Sequence, residues 1–419
     1  MLKRKFLIAK ISSLALCMCL IAGCASTPKS IVKTNELMQW LEDAKQYEQS
    51  LPSDHPDHAH NILTISAPMR EALNNHFVGV RRSTVAQKMA NWLMADDGHN
   101  MQYNIDADLS PAQAFEQRQG NCLSFTILIA TMAAELGVEL LYNEVKLPDV
   151  WNQDEGEDRA LVLYRHINAI KETSQGDIVF DLAMDTYDAS FPQRVIPAEY
   201  AVALLHSNKA VASFRKNDME TAKHYLKLAL AQNPENSDVF VNLAAVLKVD
   251  QQPKLAELAL LHALTLDNYN YMAANKLERW YRVDGETSKA KKYQRLARIS
   301  RNRNPYFQFS LAEKALEDGK YKTARRYIYR AKKLYDEDSR FFWLSSRVSV
   351  EQENYTRALN ELQDAFKLAK TQERRDQYLA EAKEIVELVQ KLTAQESTPK
   401  LRPLLDNIEP KPAAYDRIR

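Results

Sequence analysis

Two hydrophobic patterns divide the chain, and they change over near residue 200. Before that point helical and strand periods mix. Residues 35–50 place Leu37, Trp40, Leu41 and Tyr47 at helical spacing, which predicts an amphipathic helix. Further helices are predicted over 67–77 and 85–94. Ser110 and Pro111 mark another start, with Ser110 as N-cap and Pro111 in the first helical position, running to Arg118. From Leu123 to Leu136 only Ser124, Thr126, Thr131 and Glu135 are polar, so this helix is expected to be buried nearly all round. Gly137 suits the left-handed position just past its end. Beyond it, 139–145, 161–170 and 177–182 read as strands of a small antiparallel sheet, with an acidic loop over 148–159.

From about residue 203 the pattern is helical and repeats. Ala222, Ala256, Ala290, Ala324 and Ala358 follow one another every 34 residues, and Ala229, Ala263, Ala297, Ala331 and Ala365 do the same seven residues later. Between the two series lie Leu226, Leu260, Gln294, Ile328 and Leu362. A small residue where two helices cross, with a larger one half a turn away, resembles the tetratricopeptide repeat. Pro234 falls at that pattern's closing proline, and Gly285 and Gly319 at its inter-helix turn. Gln294 marks the third repeat as a weaker copy, and the fifth is weaker too. Residues 371–392 continue as a charged amphipathic helix able to cap the array. From Thr393 on, four prolines read as a mobile tail.

The N-terminus sets the expected compartment. Lys3, Arg4, Lys5 and Lys10 precede an apolar run over 11–22, the order of a signal peptide and too short to span a membrane. It closes on Leu20-Ile21-Ala22-Gly23-Cys24, which resembles a bacterial lipobox with Cys24 as the lipidated residue. That resemblance, with Ala25 rather than Asp next, implies anchoring on the periplasmic face of the outer membrane. Of the four cysteines, Cys17 and Cys19 leave with the signal peptide and Cys24 carries lipid. Cys122 is then left as a lone thiol in an oxidising compartment. Net charge is +1, but 31–200 is acidic and 276–333 is rich in Lys and Arg. In this compartment nucleic acid is not expected as a partner of that basic run. An acidic partner, anionic headgroups or a solvated face remain. The stretch 53–60 holds three histidines and two aspartates, yet Pro56 and the spacing fit no helical ligand pair. It reads as a solvated turn, and no metal or other cofactor is expected.

The candidate chemistry rests on Cys122, delivered by Gly120-Asn121 to the first turn of the buried helix. There the macrodipole and unsatisfied N–H groups favour a thiolate. His166 and Asp181 follow on neighbouring predicted strands, in the order nucleophile, base, orienting acid. With Leu136-Gly137-Val138 and Val179-Phe180-Asp181, these residues resemble the transglutaminase-like superfamily over about 71–200. Asp181 is followed by Leu182 rather than the proline often seen there, and His166 lacks the common tryptophan two residues on. A cell-wall peptidase family with the same Cys-then-His order favours Asp-Cys-Ser-Gly, and Asn121-Cys122-Leu123-Ser124 lacks the glycine. The backbone N–H of Cys122 is a natural oxyanion donor. The side chains of Gln117 and Gln119 are further candidates that spacing does not decide.

The expected architecture is an α+β papain- or transglutaminase-like core followed by an all-α tetratricopeptide solenoid. Its parts are a lipoprotein signal peptide (1–23), a linker and N-terminal helix (24–70), the core (71–200), five repeats (203–372), and a capping helix with a flexible tail (373–419). The resemblance implies amide chemistry through a thioester on a peptide or protein substrate, ending in hydrolysis or acyl transfer. A protein partner is expected on the array. The alternative is a non-catalytic adaptor that binds periplasmic proteins through its repeats.

Overall fold

The computed structural model describes residues 35–146, 166–174, 176–183 and 188–392. The expected signal peptide with Cys24, the expected acidic loop over 148–159 and the expected tail from Thr393 lie outside them. The described residues belong to one compact unit. It opens with α1 (Asn35–Ser50), α2 (Ala59–Ile62), α3 (Ala67–His76) and α4 (Arg82–Met94). Then come β1 (Gln102–Tyr103), α5 (Pro111–Gln117), β2 (Gln119–Gly120) and α6 (Cys122–Glu135). The strands β3 (Leu141–Val145), β4 (His166–Lys171), β5 (Ile178–Phe180) and β6 (Gln193–Ile196) follow.

The helix α6 is the centre of this first half. Every residue from Leu123 to Ala133 is buried, as its near-continuous apolar sequence requires. Phe125, Leu128, Ile129 and Met132 pack on α3, α4 and α5 in one cluster that also takes in Ile65 and Met69. Packing of the core therefore begins several residues ahead of 71. Leu123 and Ile127 pack on Ile167 and Ile196 in a second cluster. The helix ends as a Schellman turn: Val138 N donates to Ala133 O, Gly137 N donates to Ala134 O, and Gly137 has φ 70°.

The sheet has the order β5-β4-β3-β6 and its pairings are antiparallel, with Val145 opposite His166 and Asn143 opposite Asn168. The strands β3 and β5 are shorter than the apolar pattern implies, and positions 161–165 of the second expected strand lie outside the described residues. The edge strand β6, with burial only at Ile196, was not expected, because Gln193, Arg194 and Val195 are exposed. A parallel bridge between β1 and β2 was likewise not expected, and it staples the cysteine turn to the segment before it.

The second half is a tetratricopeptide-type array of five helical hairpins. They are α7 (Ala198–Arg215) with α8 (Met219–Gln232), α9 (Ser237–Val249) with α10 (Pro253–Leu266), and α11 (Tyr271–Val283) with α12 (Thr287–Asn302). Then come α13 (Pro305–Glu317) with α14 (Tyr321–Leu334), α15 (Ser339–Val350) with α16 (Tyr355–Leu368), and the capping helix α17 (Gln372–Leu392). The alanines of both 34-residue series are buried, because a Cβ is all that fits where the helices cross. The hairpin turns share one backbone device in the same register: Asn217, Gln251, Gly285, Gly319 and Glu353 have φ between 56° and 75°.

Several contacts tie the halves together, two of them through the N-terminal segment. Leu37, Leu41 and Ala44 of α1 join the core of the first repeats, beside Ala222, Leu226 and Ala229. So α1 packs as a member of the array. The turn at 53–60 is only partly solvated: Asp57 is half-buried and takes an ion pair from Lys209 of α7 at 2.8 Å. Tyr225 of α8 donates to the same carboxylate at 3.4 Å. Among the described residues no group of three or more His, Cys, Asp and Glu is placed to hold a metal, and no helix is long and apolar enough to cross a membrane.

Candidate functional site

The turn before α6 is built to hold one geometry. A Cβ on Gly120 would lie 3.1 Å from the Cβ of Ser124, so glycine permits the close approach of turn to helix. Asn121 caps the helix: its Oδ1 accepts from Ser124 N at 3.0 Å, and its Nδ2 donates to Asp108 at 2.7 Å. Asp108 also accepts from Asn208 of α7 at 3.0 Å, which links the turn to the first repeat. Ser124 is buried and fixes the preceding loop, donating to Ala107 O and accepting from Leu109 N, both at 2.9 Å.

This places Cys122 in the first turn of α6, half-buried, where its backbone N–H has no acceptor within the helix. Cys122 is the free cysteine of the described residues. The single proton of the Thr126 hydroxyl is shared between Cys122 O at 2.7 Å and Ile167 O at 3.0 Å, which joins the cysteine turn of the helix to the histidine strand.

His166 opens β4 and is 4% exposed; Asp181 follows β5 and is 2% exposed. His166 Nε2 lies 2.5 Å from Asp181 Oδ2, and the Cys122 thiol is a hydrogen-bonding neighbour of the same ring. Asp181 Oδ1 accepts from Ala183 N at 2.9 Å, which sets the plane of the carboxylate. Burial opposes charge on His166, but the hydrogen bonds and negative charge of Asp181 and Cys122 outweigh it. They push its pKa up to about 10. Cys122, His166 and Asp181 are thus brought together by three elements that the sequence separates by tens of residues.

Gln117 and Gln119 bond to each other at 3.1 Å, and Gln119 also accepts from Asn104 at 3.1 Å. Both amides are therefore engaged on the rim of the cysteine turn. Sequence reasoning missed Asn143 and Asn168, which are buried at 2% and 0% exposure inside the sheet. Asn143 Nδ2 donates to Asn168 Oδ1 at 2.9 Å, and Asn168 Nδ2 approaches Asp181 Oδ2 at 3.5 Å. The signal was available: Asn168 stands two residues after His166 in an otherwise apolar strand, and such an amide is costly without a partner.

No protein-family model matches the sequence, and no curated protein matches it either. Similar solved structures include Pseudomonas aeruginosa pilF, at 18% identity, covering 47% of this chain and 95% of its own, with TM-score 0.24. A tetratricopeptide repeat protein from Parabacteroides merdae has 17% identity, covering 49% of this chain and 98% of its own, with TM-score 0.22. Yeast Tom70 has 12% identity, covering 88% of this chain and 70% of its own, with TM-score 0.30. None of these likenesses bears on the residues around Cys122.

Proposed function

We propose that the protein is a cysteine-dependent enzyme acting on amide bonds, with a repeat array that holds a protein partner. The observation that carries this reading is the 2.5 Å His166–Asp181 pair beside a thiol at a helix start. In this mechanism the thiol proton passes to His166, and the thiolate of Cys122 attacks an amide carbonyl. A C–S bond forms, the C–N bond breaks, and His166 returns its proton to the leaving amine. Nε2 is held by Asp181, so Nδ1 is the nitrogen that exchanges the proton. The backbone N–H of Cys122 supports the developing oxyanion. Water then resolves the thioester in a peptidase or amidase, and an amine resolves it in a transamidase. The chemistry also agrees with the transglutaminase-like resemblance of 71–200. We propose further that Cys24 anchors the chain to the periplasmic face of the outer membrane.

A second reading is supported by the five hairpins of the array: an adaptor that binds a protein partner and whose core does no chemistry. Alkylation of the purified protein at neutral pH separates the two. Under the enzyme reading Cys122 labels about a hundredfold faster in the wild type than in His166→Ala, as expected when a thiolate loses its partner base. Equal, slow labelling of both proteins favours the adaptor. A mass adduct on Cys122 after incubation with periplasmic extract would then identify the acyl group carried.

A further inference from the structure

The turn at 188–192 lies between Asp181 and the edge strand β6, and the far end of the array grips it. Asp188 accepts an ion pair from Arg374 of α17, and Arg340 of α15 stands 3.9 Å from the same carboxylate. Tyr335, capping α14, donates to Ser190 O at 3.0 Å. Phe191 is buried edge-on against Tyr306 at 5.6 Å, beside Phe341, with the Arg340 guanidinium 4.7 Å over its ring. Arg340 is itself held by Asp338. The last two repeats and the cap thus fix a turn of five residues with aromatic packing, ion pairs and a backbone hydrogen bond.

From this turn a chain of amides runs across the sheet. Gln193 Nε2 donates to Ala189 O at 3.1 Å. Gln193 Oε1 accepts from Asn143 at 2.8 Å, and Asn143 donates its other hydrogen to Asn168. Asn168 reaches the carboxylate oxygen that His166 also bonds. A sheet interior of this kind is ordinarily filled with Val and Ile. Two buried asparagines in series persist there only if their own links are made, and breaking a link to Asn143 or Asn168 leaves a buried amide unsatisfied.

We infer that Asn143 and Asn168 are positioning residues for the Cys122–His166 pair, and that through Gln193 they make the poise of that pair depend on the docking of the last repeats at 188–192. A partner that draws α15 and α17 away from the turn would slacken Asp181 and weaken the thiolate. The array then acts as a control element for the site as well as a partner surface. This rests on the cysteine reading above. The titratable groups facing His166 are Asp181 after β5 and Cys122 on α6. Those facing Asp188 are Arg340 and Arg374.

The test is the pH profile of Cys122 alkylation in the full chain. The wild type should react on the acid side, near pH 6, where an ordinary thiol is silent. Arg374→Ala removes the clasp at a partly exposed side chain outside the sheet. It should slow labelling near pH 6 by about tenfold, the equivalent of one net hydrogen bond, and leave the rate near pH 10 within about twofold. Arg374→Lys should restore most of the acid-side rate. Combining Arg374→Ala with Asn143→Ala should slow it no further than the stronger single change, because both cut one chain. Superimposable profiles for wild type and Arg374→Ala, or effects that multiply in the double variant, overturn the inference while the cysteine reading stands. A wild type with no acid-side reactivity removes both.

Discussion

The substitution Asp181→Asn isolates the energetic core of the site. It keeps shape and volume and removes the charge that opposes the cost of burying an imidazolium. His166 is raised from an ordinary 6.5 to about 10, with Asp181 supplying most of what overcomes burial. A group with a raised folded pKa contributes stability that is complete below its unfolded value and is lost as pH rises through the folded one. Here the window is pH 6.5 to 10. Between pH 7 and pH 9 the linkage relation gives a loss on the order of 2 to 3 kcal/mol from His166 alone. This interval avoids His206, whose depressed pKa of about 3 acts on the other side of neutrality. Two assays apply. The histidine Cε1–H resonance of His166, assigned by its disappearance in His166→Gln, should titrate near pH 10 in the wild type and at clearly lower pH in Asp181→Asn. Urea unfolding at pH 7 and pH 9 should show a decline in the wild type that is clearly smaller in Asp181→Asn. An unchanged midpoint with parallel pH slopes would refute the argument.

Two further outcomes follow from the docking turn and the hairpin turns. Burial works against the charge of Asp57, yet the neighbouring His224 and the hydrogen bond and charge of Lys209 hold its carboxyl well below the usual range. Asp57→Asn should therefore cost about 3 kcal/mol near neutrality by leaving Lys209 unpaired in a mostly buried position. It should also remove a part of the wild-type stability that is present above pH 3.8 and fades as pH falls below it, read from acid unfolding followed by circular dichroism. At the hairpin turns, Glu353 is an exposed residue with φ 56°, while Gly319 holds the equivalent position with φ 68°. Glu353→Gly should raise stability by about 0.5 kcal/mol through relief of left-handed strain, and Gly319→Ala should lower it by about 1 kcal/mol, both seen as shifts in thermal midpoint.

What the sequence made legible was whatever repeats or alternates locally. The 34-residue alanines announce the hairpins because each crossing admits only a small side chain. The apolar run of α6 announces its burial, and Cys122, His166 and Asp181 stand in a chemically meaningful order. What it hid was pairing at a distance. The amphipathic face of α1 predicts a helix but does not say that Leu37 and Leu41 will pack on α8. Asp57 sits in a polar turn whose composition reads as solvated, and its partners Lys209 and Tyr225 lie more than 150 residues away. The strands β1, β2 and β6 are two to four residues long and mostly polar, so no period can mark them. Asn143 and Asn168 break their strands' apolar pattern, and only the register that sets them opposite each other explains why.

The weak third repeat shows how such a local irregularity becomes architecture. Leu226, Leu260, Ile328 and Leu362 are buried at 0–2% exposure, but Gln294 at the same repeat position is exposed. The apolar cluster of the first repeats ends at Ala290 and Tyr293, and a separate one begins with Ala312. Past this seam the aromatic residues Tyr306 and Phe341 pack against Val145 and Phe191 of the sheet region. The apolar packing is therefore thinnest between the third and fourth hairpins, and the last repeats also pack on the sheet region. A continuous stack predicts that Gln294→Leu would restore a buried position and stabilise by about 1.5 kcal/mol or more. With Gln294 at the surface the expected change is within about 0.5 kcal/mol of zero. A thermal midpoint that rises by several degrees would show that position 294 is buried against its neighbours and would refute this placement.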